Sequence, residues 1–252
     1  MSKLLVKEKE IVVPGETLAT GMEYLPSFGT YRKDDSIIAN RLGIINVDGK
    51  VLKIIPVSGI YHPRRNDVII AKVIDINLSG WRVDTNCAYS AMLSMKDASS
   101  DFIRKGEDLR RILDIGEYCV CQVTQVTSQK LVDVTMRGPG LKKLGKGRIV
   151  QVNPHKVPRI IGKQGSMVSM IKEHTNTRIT VGQNGLVWIQ GEPAEEILAI
   201  KVIKMIEAQS HVSGLTDKIS EYLSANSLKK EKAEKEDDEE PSMDVDSEEE
   251  GE

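Results

Sequence analysis

Two glycines with two residues between them, in Ile160-Ile161-Gly162-Lys163-Gln164-Gly165, separate two apolar patterns of helical spacing, and this juxtaposition constrains the fold more than any other stretch. Residues 157–161 read as a short helix with Pro158 in its first turn, where a missing N–H costs little. Met167, Met170 and Ile171 carry a second helix to about Thr175. Upstream, residues 147–152 have strand character; downstream, strands over 177–181 and 186–190 flank the turn Gln183-Asn184-Gly185. A last helix begins near Pro193, a good first helical residue, and runs to about Ala208. Its apolar positions Ile197, Leu198, Ile200, Val202, Ile203 and Ile206 form a broad face, so one side packs on a sheet. The order is β-α-α-β-β-α, beginning beyond a boundary at Gly138-Pro139-Gly140.

Charge singles out the same region. The formal net charge of -2 hides an asymmetry, because residues 229–252 hold 13 acidic side chains against four lysines, whereas residues 1–228 hold 31 basic against 24 acidic. Between Arg137 and Arg178 there are ten Lys or Arg residues and one acid, Glu173. Such density is the electrostatic footprint of a phosphate-backbone binder. Beyond Ser227 the composition is almost wholly Lys, Glu, Asp and Ser, which cannot bury enough apolar area to offset chain ordering, so a disordered tail is expected. Leu215, Ile219, Tyr222 and Leu223 predict a short amphipathic helix before it, docked on the body or on a partner.

The first 137 residues read as strands and turns. Residues 43–47 and 50–55 are β-rich runs around Asp48-Gly49, the signature of a type I′ hairpin, while residues 24–35 read as a loop. After His62-Pro63-Arg64-Arg65, strands are expected over 68–76, 81–84, 88–93, 117–126 and 131–136, with a charged connection over 96–113 that could hold a short helix. Five strands with one longer crossover suit a Greek-key barrel of OB type.

Other chemistry finds little support. Cys87, Cys119 and Cys121 lack CxxC spacing and read as small buried hydrophobes. The four histidines are scattered, no GxxxxGK[ST] frame exists, and no paired carboxylates argue for acid–base catalysis, so neither enzyme activity nor a cofactor or metal is expected. With no signal peptide and no apolar run of membrane-spanning length, the expectation is a cytoplasmic protein without a membrane partner.

The helix–GxxG–helix unit resembles a KH domain, in which the loop clamps single-stranded backbone. Glycine is needed at both ends so that the backbone can approach phosphates, beside the N–H groups opening the second helix. The resemblance marks Arg159, Gly162, Lys163, Gln164 and Gly165 as RNA contacts, with Lys146 and Arg148 in the same basic stretch. The middle unit is similar to the RNA-binding OB domain named for ribosomal protein S-one, on the strands 67–76 and 116–126. Such barrels stack bases on exposed aromatics in a basic groove, which nominates Trp81, Tyr89, Arg82 and Lys72. Either aromatic could instead fill the core.

A β-rich start with Val12-Val13-Pro14-Gly15-Glu16 and Gly29-Thr30-Tyr31, then an S-one unit, then a KH unit with Val157-Pro158-Arg159-Ile160-Ile161-Gly162-Lys163, resembles the KH-bearing cap subunit of the RNA exosome, in its archaeal type. The resemblance covers roughly residues 8–210 and implies a non-catalytic subunit that captures single-stranded RNA for a phosphorolytic ring of RNase PH-like subunits, with further copies of itself in a trimeric cap. It implies ring docking through the N-terminal unit, on Val12, Val13, Pro14, Gly15 and Glu16. A transcription or translation factor using the same two RNA-binding units is the alternative. The expected fold is multidomain, β-rich plus α/β: a small N-terminal β domain (1–62), a five-stranded OB-type S-one barrel (63–137), a type I KH domain (145–210), a short C-terminal helix (211–226) and a disordered acidic tail (227–252).

Overall fold

The computed structural model describes residues 2–99, 107–210, 212 and 214–225. The acidic tail expected over 227–252 lies outside the described residues.

The N-terminal unit contains β1 (Lys3–Leu4), β2 (Ile11–Val12), β3 (Thr17–Thr20), β4 (Leu25–Pro26), β5 (Thr30–Lys33), β6 (Ser36–Ala39), β7 (Gly43–Asp48) and β8 (Val51–Pro56). They form two four-stranded sheets, ordered β1-β3-β6-β5 and β2-β7-β8-β4, around Val12, Leu18, Ile37, Ile45, Leu52 and Ile54. Period-two alternation selects these residues, since one face of each strand is buried. The β7–β8 hairpin pairs Asp48 with Val51, which moves the expected turn one residue along to Gly49-Lys50. Only Gly49 has positive φ (60°), so the turn has the glycine-first character of type II′ rather than I′. Residues 24–35, expected as a loop, include β4 and β5. Their two- and four-residue lengths leave too little alternation to read, and a tertiary contact holds them: the Thr30 hydroxyl donates to the Leu52 carbonyl at 3.0 Å.

The second unit is a closed barrel of β9 (Val68–Asn77), β10 (Gly80–Asp84), β11 (Ser90–Ser94), β12 (Tyr118–Val126) and β13 (Val132–Thr135), ordered β10-β11-β13-β12-β9. Only β11 and β13 run parallel; this is the expected five-stranded OB-type barrel. Ile69, Ala71, Val73, Val83, Leu93, Cys119, Cys121 and Val123 fill it. A hydrogen bond with Cys119, together with burial, pushes the Cys121 thiol well up, and both cysteines are fully buried in the barrel as expected. Cys87 departs from its expected burial: it is only half-buried, and its thiol donates to the Tyr89 carbonyl. The charged connection holds a one-turn helix, α1 (Met95–Ala98), and a 3-10 turn over Leu109–Arg111.

The third unit has β14 (Arg148–Gln151), α2 (Val157–Ile161), α3 (Ser166–Thr175), β15 (Arg178–Val181), β16 (Leu186–Gln190) and α4 (Pro193–Ala208), the β-α-α-β-β-α order expected of a type I KH domain. Its antiparallel sheet is ordered β14-β16-β15. Ala199, Val202, Ile203 and Ile206 of α4 are buried, while Ile197 is exposed at the edge of the apolar face. A further helix, α5, spans 215–225 and buries Leu215, Ile219 and Leu223 fully in this same core, which settles its docking in favour of the body. No helix among the described residues is long and apolar enough to cross a membrane.

The second and third units meet face to face. Outward-facing Ile70 and Val120 of the barrel are covered by Trp188 of β16 and by Leu144. The β15–β16 turn then inserts into the barrel wall. The Gln183 N–H donates to the Val68 carbonyl (2.9 Å), and the Asn184 amide donates to the carbonyls of Ile70 (2.7 Å) and Thr85 (2.9 Å) while accepting from the Ile70 N–H (3.3 Å). Asn184 is fully buried.

Candidate nucleic-acid interface

The GxxG loop is built by two different glycine requirements. At Gly162, φ 76° and ψ 178° lie in a region nearly closed to other residues, and a Cβ there would meet Cβ and N of Met167 at 2.7 Å. The chain therefore passes directly against the first turn of α3. Gly165 has φ 83° and ψ 6°, an ordinary left-handed conformation, with open space around it. Between them Gln164 is also left-handed (φ 54°), and Lys163 and Gln164 both project into solvent. The loop thus offers one lysine and the start of α3, a ten-residue helix whose first N–H groups suit an anion.

Around it the basic stretch is less uniform than its sequence suggests. Arg159 is exposed but donates to the Val212 carbonyl at 3.1 Å. Arg148 is held by Glu196 at 2.6 Å, and Glu196 is itself buried. Lys143 pairs with Glu117 at 2.5 Å, and Lys156 donates to the Glu207 carbonyl at 2.8 Å. Lys142, Lys146, Lys163, Lys172 and Arg178 are exposed without such partners among the described residues. Arg148, Lys156 and Arg159 are thus spent on holding the third unit together, and Lys143 on tying the connection before it to the barrel.

The barrel corrects one sequence expectation. Trp81 is fully buried and its indole N–H donates to the Leu113 carbonyl at 2.9 Å, so it has no face to offer a base. Its strand position, opposite Ile76 and Leu93, points it inward by alternation. Arg82 and Lys72 are exposed, but on β9 and β10 they share the outer surface with Asp75 and Asp84, so this face is mixed in sign. Lys72 lies over the Tyr118 ring at 5.9 Å. Tyr89 is 40% exposed and stands elsewhere, in the loop between β10 and β11.

The residues nominated for docking also divide. Val12 belongs to the N-terminal core, fully buried, and cannot contact a partner. Val13, Pro14 and Gly15 are exposed and Glu16 half-buried, in a turn held by the Val13 N–H donating to the Glu16 carboxylate (2.9 Å).

Five residues not nominated from sequence, together with Tyr89, which was, converge where the N-terminal unit meets the barrel. Phe28, Arg41, His62, Arg64, Tyr89 and Lys130 line a cavity of about 550 Å³. A second cavity of about 730 Å³ shares Phe28, His62 and Arg64 with it and extends past His155 to Gly162. The Arg41 and Arg64 guanidinium carbons lie 4.9 and 5.9 Å from the Phe28 ring centre. Arg41 donates to His62 Nε2 at 3.2 Å, which places the His62 proton on Nδ1 and leaves the ring neutral. Burial, then Arg41, Lys130 and Arg64, lower the His62 pKa; burial, then His62, Arg64 and Arg41, lower that of His155. Sequence offered a weak signal, a phenylalanine in a polar loop and the His-Pro-Arg-Arg connection, but their meeting depends on how the units pack.

Comparison with known proteins matches two regions to family models: residues 147–210 to the KH domain, and residues 11–48 to the N-terminal region of exosome complex exonuclease RRP4. The chain is similar to exosome complex component Rrp4 of Methanothermobacter thermautotrophicus, 43% identical over 220 residues that cover 87% of this chain and 70% of that protein. It is similar to the same component of Thermococcus kodakarensis, 40% identical with 88% of each chain covered, and of Methanothermus fervidus, 38% identical over 87% of this chain and 97% of that one. A crystal structure described as that of an exosome complex RNA-binding protein superposes with a TM-score of 0.60 at 31% identity, covering 66% of this chain and 97% of that chain.

Proposed function

The chain belongs to the family of exosome component Rrp4, and from that premise we propose that it is a non-catalytic RNA-binding cap subunit, acting in the cytoplasm, that captures single-stranded RNA and passes it to a phosphorolytic ring for 3′-to-5′ degradation. The observation that carries RNA capture is the exposed GxxG loop, whose Gly162 backbone is pressed against the opening of α3 with Lys163 free in solvent. Family membership favours this reading over a transcription or translation factor.

The division of labour follows the units: residues 1–62 dock on RNase PH-like ring subunits, 63–137 and 145–210 contact RNA, and copies of the chain complete a trimeric cap. Ring docking draws support from the exposed apolar residues Ile11 and Val13 beside the Pro14-Gly15 turn. Reconstitution with RNase PH-like ring subunits tests the reading. The chain alone should release no nucleoside diphosphate from RNA in phosphate, the ring should release it faster with the chain bound, and Ile11→Asp with Val13→Asp should lose ring association yet keep RNA binding. Phosphate-dependent cleavage by the chain alone would refute the non-catalytic assignment.

A further inference from the structure

We infer that the seam between the N-terminal sheets and the barrel, whose neighbouring cavity extends to the KH unit, is a distinct single-stranded RNA subsite, in which Arg41, Arg64 and Lys130 take backbone phosphates and Tyr89 stacks a base. It rests on the reading of the chain as an RNA-binding subunit and adds a place that neither the GxxG loop nor the outer barrel face supplies.

Three cations line one cavity, and among the described residues none has a carboxylate within 4 Å of its charged side-chain nitrogens. Asp67, the carboxylate lining the adjoining cavity, is already engaged, accepting from the Tyr61 hydroxyl at 2.6 Å and the Arg64 N–H at 3.2 Å. Positive charge gathered in a partly enclosed space and left without a counter-ion is costly, and after burial the same cations, Arg41, Lys130 and Arg64, lower the His62 pKa. An anion relieves it. Phe28 holds two of the guanidinium groups against its ring, so they are preorganised rather than loose.

Chemistry narrows the anion to a nucleotide chain. Tyr89 borders the same cavity with 40% of its surface open, and a ring beside fixed cations matches a base beside its phosphates. The cavity falls within the size range of ligand sites, at about 550 Å³. Its neighbour leads through His62 and Arg64 to Gly162, so a strand leaving the GxxG loop meets the seam without crossing the mixed-sign face of the barrel. An acidic peptide would satisfy the cations but gives no use for the ring.

The test uses the full chain and a 5′-labelled adenosine oligoribonucleotide of roughly twelve residues, within the range one such site covers. Affinity is measured at several salt concentrations, with unfolding midpoints recorded for every variant. Arg41→Gln with Arg64→Gln should flatten the log–log salt slope by about 1.4, two phosphates at about 0.7 each. Tyr89→Leu should weaken binding at least about fivefold with its slope unchanged. Lys130→Gln, on an exposed turn, should flatten the slope by about 0.7 and serves if the arginine pair proves needed for folding. Parental slopes and affinities in all folded variants, with the parent binding RNA, overturn the seam subsite and leave the RNA-binding reading intact. A parent that binds no RNA overturns both. If polyglutamate competes as well as RNA and Tyr89→Leu changes nothing, the cavity reads charge alone and the nucleotide assignment falls.

Discussion

Asn184 shows how one side chain can fix the relation between two units. Its amide is fully buried and satisfies three backbone groups of the barrel, the Ile70 N–H and the carbonyls of Ile70 and Thr85. Asn184→Ala leaves these groups unpaired away from water, each at a cost of about 1 kcal/mol or more, so stability should fall by roughly 3 kcal/mol in chemical denaturation. A loss below about 0.5 kcal/mol would mean that water replaces the amide readily. The sequence presents this residue only as the middle of a turn.

At the scale of elements, α2, the GxxG loop and α3 separate charges that hold the fold from charges available to a ligand. Lys163→Ala should flatten the salt dependence of RNA binding by about 0.7 in slope and leave the unfolding midpoint unchanged. Arg148→Ala should do the opposite, because its guanidinium neutralises buried Glu196 at 2.6 Å: the midpoint falls and the slope stays near parental. A slope change of equal size in both variants would place Arg148 on the RNA path as well. Sequence counts these residues alike, since a linear charge density does not reveal which partner α4 brings over β14.

Across the whole molecule, the three-way seam couples packing to pH. His62 and His155 have folded-state pKa values below 6.5, owing first to burial and then to the cations around them. Below pH 6.5 the unfolded chain takes up protons that the folded chain resists, so stability falls with falling pH from that point. Glu117 and Glu207 act lower. Burial raises their pKa values, but Lys143 and Lys204 with backbone N–H donors outweigh it, so their contribution is full above pH 4.5 and is lost below it. Denaturant midpoints should therefore decline between pH 6.5 and 4.5, and His62→Asn with His155→Asn should flatten that part of the profile while leaving the acid limb. An unchanged decline in the double variant would assign it to other groups.

The order of the β-α-α-β-β-α unit, the five barrel strands and the position of the GxxG loop were legible in the sequence because each rests on local physics: apolar period, helix-starting proline, and glycine where the backbone must pass closely. Helix α4 over Pro193–Ala208 and strand β16 over Leu186–Gln190 are of this kind. The one-residue shift of the β7–β8 turn and the inward side of Trp81 needed the pairing register, which follows from cross-strand partners far along the chain. Whether Arg148 is paired or free, whether Val12 faces a core or a partner, and whether Phe28, Arg41 and Lys130 meet at all were decided only by tertiary packing. Burial and charge proximity are properties of surfaces brought together, and residues 28 and 130 share a cavity that no local pattern encodes.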